Sequence, residues 1–289
     1  MTSSTPTTPS IVLSHANYGK SAVRLVKVTR DGDRHDLRDL NVDVMLDGDF
    51  SASYVDGDNR AMLATDTMRN TIYALAKDDP IESIEAFGMR LAQHFLKTGP
   101  TVTGVQIRIV EYPWNRIAVN GQEHEHAFTR GAGERVAVIS VDAAGMTVQA
   151  GIDNLLILKT TNSGWEDFYR EQYTTLPDAR DRILATVLTA DWTYTSAHAD
   201  FERLWSSVRD QILVTFTDHY SPSVQNTLFR MGKAVLESHP DVQKIHFSLP
   251  NKHHLLFDLA RFGMENDNQI FHVTNDPFGL IEGTVERSQ

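Results

Sequence analysis

The chain has 289 residues, 41% of them apolar and 9% aromatic, enough for one large globular domain or two of medium size. Lys and Arg number 27 against 38 Asp and Glu, a formal charge of -11 without any basic block, which argues against a nucleic-acid or anionic-membrane surface. Cysteine is absent, so disulfides, thiolate nucleophiles and Cys-ligated metal sites are excluded, and no apolar run approaches a membrane span.

"MTSSTPTTPS" is rich in Ser, Thr and Pro and lacks both a charged start and an apolar stretch. It reads as part of a disordered tail over 1–15 rather than a signal peptide, with the cytoplasm as the default compartment. Val23 and Leu25, then Leu40, Val42, Val44 and Leu46, alternate with polar residues around Asp31-Gly32, where glycine supplies a turn's positive φ. That predicts a β-hairpin. "TDTMRNTIYALAKDD" predicts a helix capped by Thr65 or Asp66, with Met68, Ile72 and Leu75 as its apolar stripe. A second helix is expected to open at Asp79-Pro80 and end at Gly99, lining up Ile81, Ile84, Phe87, Leu91 and Phe95. "TVTGVQIRIVEYPW" and "NRIAVNGQEHEHAFTR" then alternate as strands.

The same order returns in the second half. "RVAVISVDAAGMTVQAGIDNLLILKTT" and "RILATVLTADWTYT" predict strands, followed by a helix carrying Phe201, Leu204, Trp205, Val208, Ile212 and Phe216. The next helix is expected to be capped by Ser221 with Pro222 in its first position. "VQKIHFSLP", ended by Pro250, and "NQIFHVT" are the expected closing strands. The expectation is an α+β chain of two ββααββ domains, 16–144 and 145–289, each an antiparallel sheet with helices on one face. Sheets of that kind leave open edges and tend to close with copies of themselves, so an oligomer is expected.

Six polar constellations stand out, and each also has an ordinary structural explanation. His124 and His126 share one face of a strand, a spacing that suits two ligands of one metal, or simply a solvated strand edge. Thr65 and Asp66 sit where free backbone N–H groups open a helix, a natural place for an anion and equally for a plain cap. Lys20 begins the first strand and Gln225 lies in the first turn of a helix. The long connection "TTNSGWEDFYREQYTTLPDARDRIL" brings Trp165 and Phe168, which could stack on a planar ligand, and Arg182, which could make a forked contact with one. Finally, "IHFSLPNKHHLLFDL" interrupts an apolar run with Asn251, Lys252, His253 and His254, where a turn alone would need only proline and asparagine.

Five stretches, "YGKSAVRLVKV", "LATDTMRNTIYAL", "TNSGWEDFYREQYTTLPDARDRIL", "SPSVQNTLFRM" and "LPNKHHLLFDL", occur together in an order that resembles the urate oxidase (uricase) family of the tunnelling fold. They span nearly the whole chain from Tyr18 onward. The resemblance implies a homotetramer of stacked barrels with active sites between subunits, acting on urate and dioxygen with no metal and no organic cofactor. It implies that Arg182 and Gln225 grip opposite edges of urate, and that the backbone N–H groups of Asp66 and Val224 add donors. Lys20, Thr65 and His253 would form the proton relay, with Thr65 and Asn251 framing a hole for oxygen or water. The stacking position is commonly phenylalanine in the family. Trp165 aligns with it here, with Phe168 as the other candidate. A metal-dependent oxygenase using His124 and His126, a pterin- or purine-converting enzyme of the same fold, and a catalytically silent scaffold remain the alternatives. Metal analysis, the Arg182/Gln225 pair, and the joint presence of Lys20, Thr65 and His253 separate them.

Overall fold

The computed structural model describes residues 11–78, 80–274 and 276–288, so most of the expected 1–15 tail lies outside the described residues. The first half runs β1 (Asn17–Asp31), β2 (Arg34–Gly48), α1 (Ser51–Asp56), α2 (Thr65–Asp78), α3 (Ile84–Thr98), β3 (Val102–Glu111), β4 (Trp114–Val119), β5 (Gln122–Arg130) and β6 (Glu134–Asp142). The second runs β7 (Gly145–Lys159), β8 (Leu184–Tyr194), α4 (Phe201–Thr217), α5 (Val224–Ser238), β9 (Val242–Asn251), β10 (His254–Leu256), β11 (Phe271–Val273) and β12 (Gly279–Glu286). Eight strands form one antiparallel sheet in the order β1-β2-β3-β6-β7-β8-β9-β12, while β4-β5 and β10-β11 are separate hairpins. The 143–144 turn joins β6 to β7, with Asp142 paired to Gly145. The β1–β2 turn falls at Gly32, whose φ of 57° confirms the reading of Asp31-Gly32.

One face of the sheet is covered by helices because both partners present apolar stripes. In β2, Leu40, Val42, Val44 and Leu46 are fully buried, while the alternate Asn41, Asp43 and Met45 are only partly so. Met68 and Ile72 of α2, Phe87, Leu91 and Phe95 of α3, Val208 and Ile212 of α4, and Met231 and Val235 of α5 meet them from the helix side. A buried ionic link joins the halves. Arg135 of β6 pairs with Glu85 of α3 at 2.8 Å and with Glu202 of α4, and it stacks on Trp205. Among the described residues no helix is long and apolar enough to cross a membrane.

Several local expectations are corrected. Ser83, not Asp79-Pro80, caps α3 by accepting from the Ala86 N–H; Asp79 itself lies outside the described residues. Ser223, not Ser221, caps α5, which begins at Val224. Thr65 and Asp66 do not cap α2 but occupy its first turn, since Met68 donates to the Ala64 carbonyl. Strand β9 runs one residue past Pro250, and Pro250 pairs with Leu280. The expected closing strand around Phe271 is a short outlying hairpin with β10. The actual edge partner of β9 is β12.

Candidate active site

The sequence-predicted residues fall into two clusters. The first is at the start of β1. Tyr18 donates through its hydroxyl to the Leu63 carbonyl and accepts from the Leu63 N–H, at 3.1 and 2.9 Å. This clasp brings the strand that carries Lys20 against the entry to α2, where Thr65 and Asp66 stand exposed. Directly after Lys20 the β1–β2 register shifts, and Ala22 adopts φ 58°. A left-handed alanine costs roughly 1–2 kcal/mol. The Ala22 N–H offsets this by donating to the Asp43 carboxylate at 2.7 Å. Such a bulge re-aims the side chains beside it. The Asp66 carboxylate is turned to its own helix, 2.6 Å from Arg69 and accepting from Asn70 at 3.0 Å. Its backbone N–H, like that of Thr65, belongs to the first helical turn and has no intrahelical acceptor.

The second cluster gathers around the N-terminus of α5. The 160–183 connection contains no helix, and its backbone is tied down at fixed points. Trp165 exchanges both backbone bonds with Ala179, at 2.7 and 2.9 Å. Ser221 donates its N–H to Asn162 and accepts from Gly164, each at 2.8 Å, and Arg182 donates its N–H to Ser163 at 2.8 Å. Lys252 donates its N–H to Ala185 at 2.8 Å, which brings the end of β9 to the strand that follows Arg182. Arg182, the first turn of α5 with Val224 and Gln225, Asn251 and His253 are thereby held in one region. The Asn251 amide makes a long 3.5 Å contact to Nδ1 of His253, and Asn251 is buried. Trp165 and Phe168 stack on each other with centroids 5.6 Å apart, and the Arg170 guanidinium lies 4.5 Å from the Phe168 centroid.

Arg182 carries the electrostatics of this cluster. Its Nε is buried without a hydrogen-bond partner, and no carboxylate pairs with it among the described residues. Burial pushes its pKa down, against a small opposing influence from Tyr220. A half-buried cation without a counter-charge is costly, and an anionic ligand would relieve that cost.

The two clusters do not meet within one chain. The row through Lys20 runs by way of Val44, Ile107 and Ile139 to Val148, and so reaches β8 and β9 near Thr193 and Val242. Asn251 closes β9 at its other end, beside Thr186. Laterally, β1 and β9 are six strand steps apart. That corresponds to about 29 Å at roughly 4.8 Å per step.

His124 and His126 lie on β5, outside both clusters. Their rings meet edge to face at 4.6 Å, and Nδ1 of His124 accepts from the His126 N–H. Among the described residues no group of three His, Cys, Asp or Glu side chains is arranged to hold a metal ion. The sequence reading missed Tyr18 as a clasp and treated Ser221 as a cap, when it is the junction between the 162–164 segment and α5. The compressed run of polar residues in "HYSPSVQNT" was the available signal, since Ser221 and Thr227 in it are fully buried.

Comparison with known proteins places this architecture. The family model described as uricase matches residues 16–140 and 148–282. A uricase of Arthrobacter globiformis is 43% identical over 99% of this chain and 93% of its own, and one of Dictyostelium discoideum is 42% identical over 94% and 96%. The crystal structure of the Arthrobacter globiformis uricase superposes with a TM-score of 0.92 over 96% of each chain. A urate oxidase structure from Bacillus sp. TB-90 shares the fold at a TM-score of 0.81 and 22% identity, covering 94% of this chain and all of that one. The chain belongs to the uricase family, with its tunnelling fold and urate oxidase activity.

Proposed function

We propose that this protein oxidises urate with dioxygen and water to 5-hydroxyisourate and hydrogen peroxide, without a metal or organic cofactor, in a homotetramer whose sites are shared between subunits. The observation that carries the reading is Arg182: a half-buried guanidinium without a carboxylate partner among the described residues, tied by backbone bonds to the helix end that carries Val224 and Gln225. Urate is a planar anion. Arg182 forks onto its oxygens and a ring nitrogen, Gln225 holds the opposite edge, and the backbone N–H groups of Val224 and Asp66 complete the grip. Trp165 is the better stacking ring, since Arg170 already lies over Phe168.

Lys20 and Thr65 complete the deprotonation that turns urate into a reductant strong enough to pass electrons to dioxygen, and His253 extends the path for the protons. Thr65 and Asn251 bound the space in which oxygen and then water meet the ring face. The strand count between Lys20 and Asn251 supports a site closed by two chains, and the open edges β1 and β12 are the surfaces through which sheets would join into a barrel. The matched segments 16–140 and 148–282 support two tandem domains divided near 144. The cytoplasm is the compartment proposed for this cysteine-free chain. The test is to add urate to the purified protein after exhaustive chelation. Loss of the urate ultraviolet band with matching peroxide is expected. Activity that vanishes and returns with a single added metal ion would overturn cofactor independence and favour the His124/His126 alternative.

A further inference from the structure

Between α4 and α5 runs a hydrogen-bonded chain that no proton-transfer or gripping role uses. Nδ1 of His219 lies 2.6 Å from the Thr215 carbonyl, so that nitrogen carries the proton and donates. Nε2 of His219 is 2.9 Å from the Thr227 hydroxyl, which in turn is 2.6 Å from the Ser221 hydroxyl. Ser221 also reaches the Ser223 carbonyl at 3.0 Å. Ser221 and Thr227 are fully buried. Ser221 is also where the backbone of the 162–164 segment is pinned, and that segment holds Trp165 on one side and the Arg182 N–H on the other. The chain therefore locks together the end of α4, the first turn of α5 and the connection that carries the stacking ring and the guanidinium.

We propose that His219, Thr227 and Ser221 are positioning residues for urate binding, which set the α5 N-terminus and the Trp165–Arg182 connection in register through one directional hydrogen-bond chain. The inference rests on the reading that Arg182, Val224 and Gln225 hold the substrate. The direction of the chain follows from proton counting. With neutral His219, Nε2 accepts from Thr227, which leaves the Thr227 oxygen to accept from Ser221. With protonated His219, Nε2 donates, Thr227 turns its hydrogen to Ser221, and Ser221 can donate only to the Ser223 carbonyl, at the cap of the binding helix. Proton loading at His219 thus re-aims hydrogen bonds at Ser223, next to Val224 and Gln225. The charged groups facing His219 are Lys159 of β7, whose ammonium donates to the His219 carbonyl at 2.8 Å, Arg230 of α5 and Asp218 beside it. Burial first, then the two cations, hold the imidazole towards its neutral form, while Asp218 and the Thr215 bond oppose them.

The experiment compares Thr227→Val, Thr227→Ser and His219→Gln with wild type in steady-state urate oxidation between pH 5.5 and 8, alongside Arg182→Met and Gln225→Ala. Thr227→Val, which keeps the shape and removes the hydroxyl, should raise KM about tenfold, the scale of one weakened hydrogen bond to a charged ligand, with kcat within about twofold. Thr227→Ser should restore the wild-type KM. Wild-type KM should climb on the acid side, and His219→Gln should flatten that limb. A merely structural role would lower kcat and melting temperature together and leave the acid limb in place. Should Thr227→Val not fold, the acid limb of His219→Gln decides alone. Wild-type KM and an unchanged acid limb in both variants, while Arg182→Met and Gln225→Ala still weaken binding, would overturn the positioning role alone. Unchanged KM in Arg182→Met and Gln225→Ala would instead overturn the binding assignment beneath it.

Discussion

Replacing Arg182 by Met keeps the apolar stem and removes the guanidinium, and its effects on binding and on stability should have opposite signs. In the free protein the charge is half-buried, its Nε has no partner, and burial holds its pKa down. Deleting an uncompensated cation removes a desolvation penalty, so the unliganded variant should melt no lower than wild type. Its backbone N–H bond to Ser163 is unaffected. In the proposed complex the same group would make charge-assisted bonds worth about 2–4 kcal/mol, so KM should rise roughly 30- to 700-fold. The cleanest assay is a thermal melt under anaerobic conditions, where urate binds but is not consumed. At urate a hundredfold above its Kd, wild type should gain about 2.7 kcal/mol, and the variant about 0.1–0.9 kcal/mol at the same concentration. If Arg182→Met melts several degrees lower without urate and binds urate as wild type does, the cation is structural and the argument from its missing partner is wrong.

Other consequences follow from the same geometry. If sites are shared, inactive Lys20→Met and Arg182→Met chains refolded together should regain about a quarter of wild-type activity, because random assembly makes that fraction of sites intact; hybrid oligomers as inactive as their parents would exclude sharing. Arg135→Met strands the fully buried Glu85 carboxylate and should cost about 3–5 kcal/mol in urea denaturation. Adding Glu85→Leu should recover most of that loss, and a single variant as stable as wild type would show that the link contributes little. His219 has a folded pKa below the ordinary value of about 6.5, so its stabilisation is complete above that pH and is lost as pH falls towards the folded value. Stability between pH 7.5 and 5.5 should therefore drop less in His219→Gln than in wild type, and equal drops would place the acid sensitivity elsewhere. Gly164→Ala would bring a Cβ to 2.1 Å from the Tyr220 hydroxyl oxygen and 3.1 Å from the Ala179 carbonyl, so urate oxidation should fall sharply. Tyr220→Phe added to it should recover part of the activity by removing the closer atom, and no recovery would locate the clash at the Ala179 carbonyl or the remaining ring carbon, each 3.1 Å away.

The four long helices were legible because each carries an apolar stripe that the sheet buries nearly in full; only the flanking Leu75 and Trp205 stay partly exposed. Their starts were less legible because several candidate caps crowd each one. Pro222 after Ser221 is a strong helix-start signal by local rules. It loses because the Ser221 hydroxyl is engaged by Thr227 and its backbone by the 162–164 segment, which leaves Ser223 to cap. Strand β12 escaped notice because "GLIEGTVE" is an edge strand, mostly exposed and broken by Gly279 and Gly283. The candidate site residues stand out only through their order across the whole chain, since each one alone looks like a cap, a surface lysine or a turn. Their division between the two halves of the chain could be read from residue order, but how far apart the two clusters lie along the sheet could not. That separation depends on strand order, and strand order is a tertiary fact: β6 pairs with β7 and so places the halves side by side instead of face to face.

That division also explains where this chain departs from local rules. A sequence that specifies one fold keeps its propensities, packing and charges consistent, and departures gather where function demands them. Two such departures lie at the two candidate half-sites. Beside Lys20 an alanine is held at positive φ, stabilised only by one carboxylate across the hairpin. At the other end of the sheet a guanidinium is half-buried with no counter-charge among the described residues. The helix-covered face between them contains a deeply buried charged cluster, and there Glu85 and Glu202 neutralise Arg135. The contrast is chemical. Arg135 meets carboxylates because its task is to join the halves, whereas an Arg182 neutralised the same way could not accept an anionic substrate. Of the two, the uncompensated guanidinium is the departure that points to a ligand, because strained backbone also occurs away from the ends of the sheet, as at buried Ile81 before α3, with φ 53°.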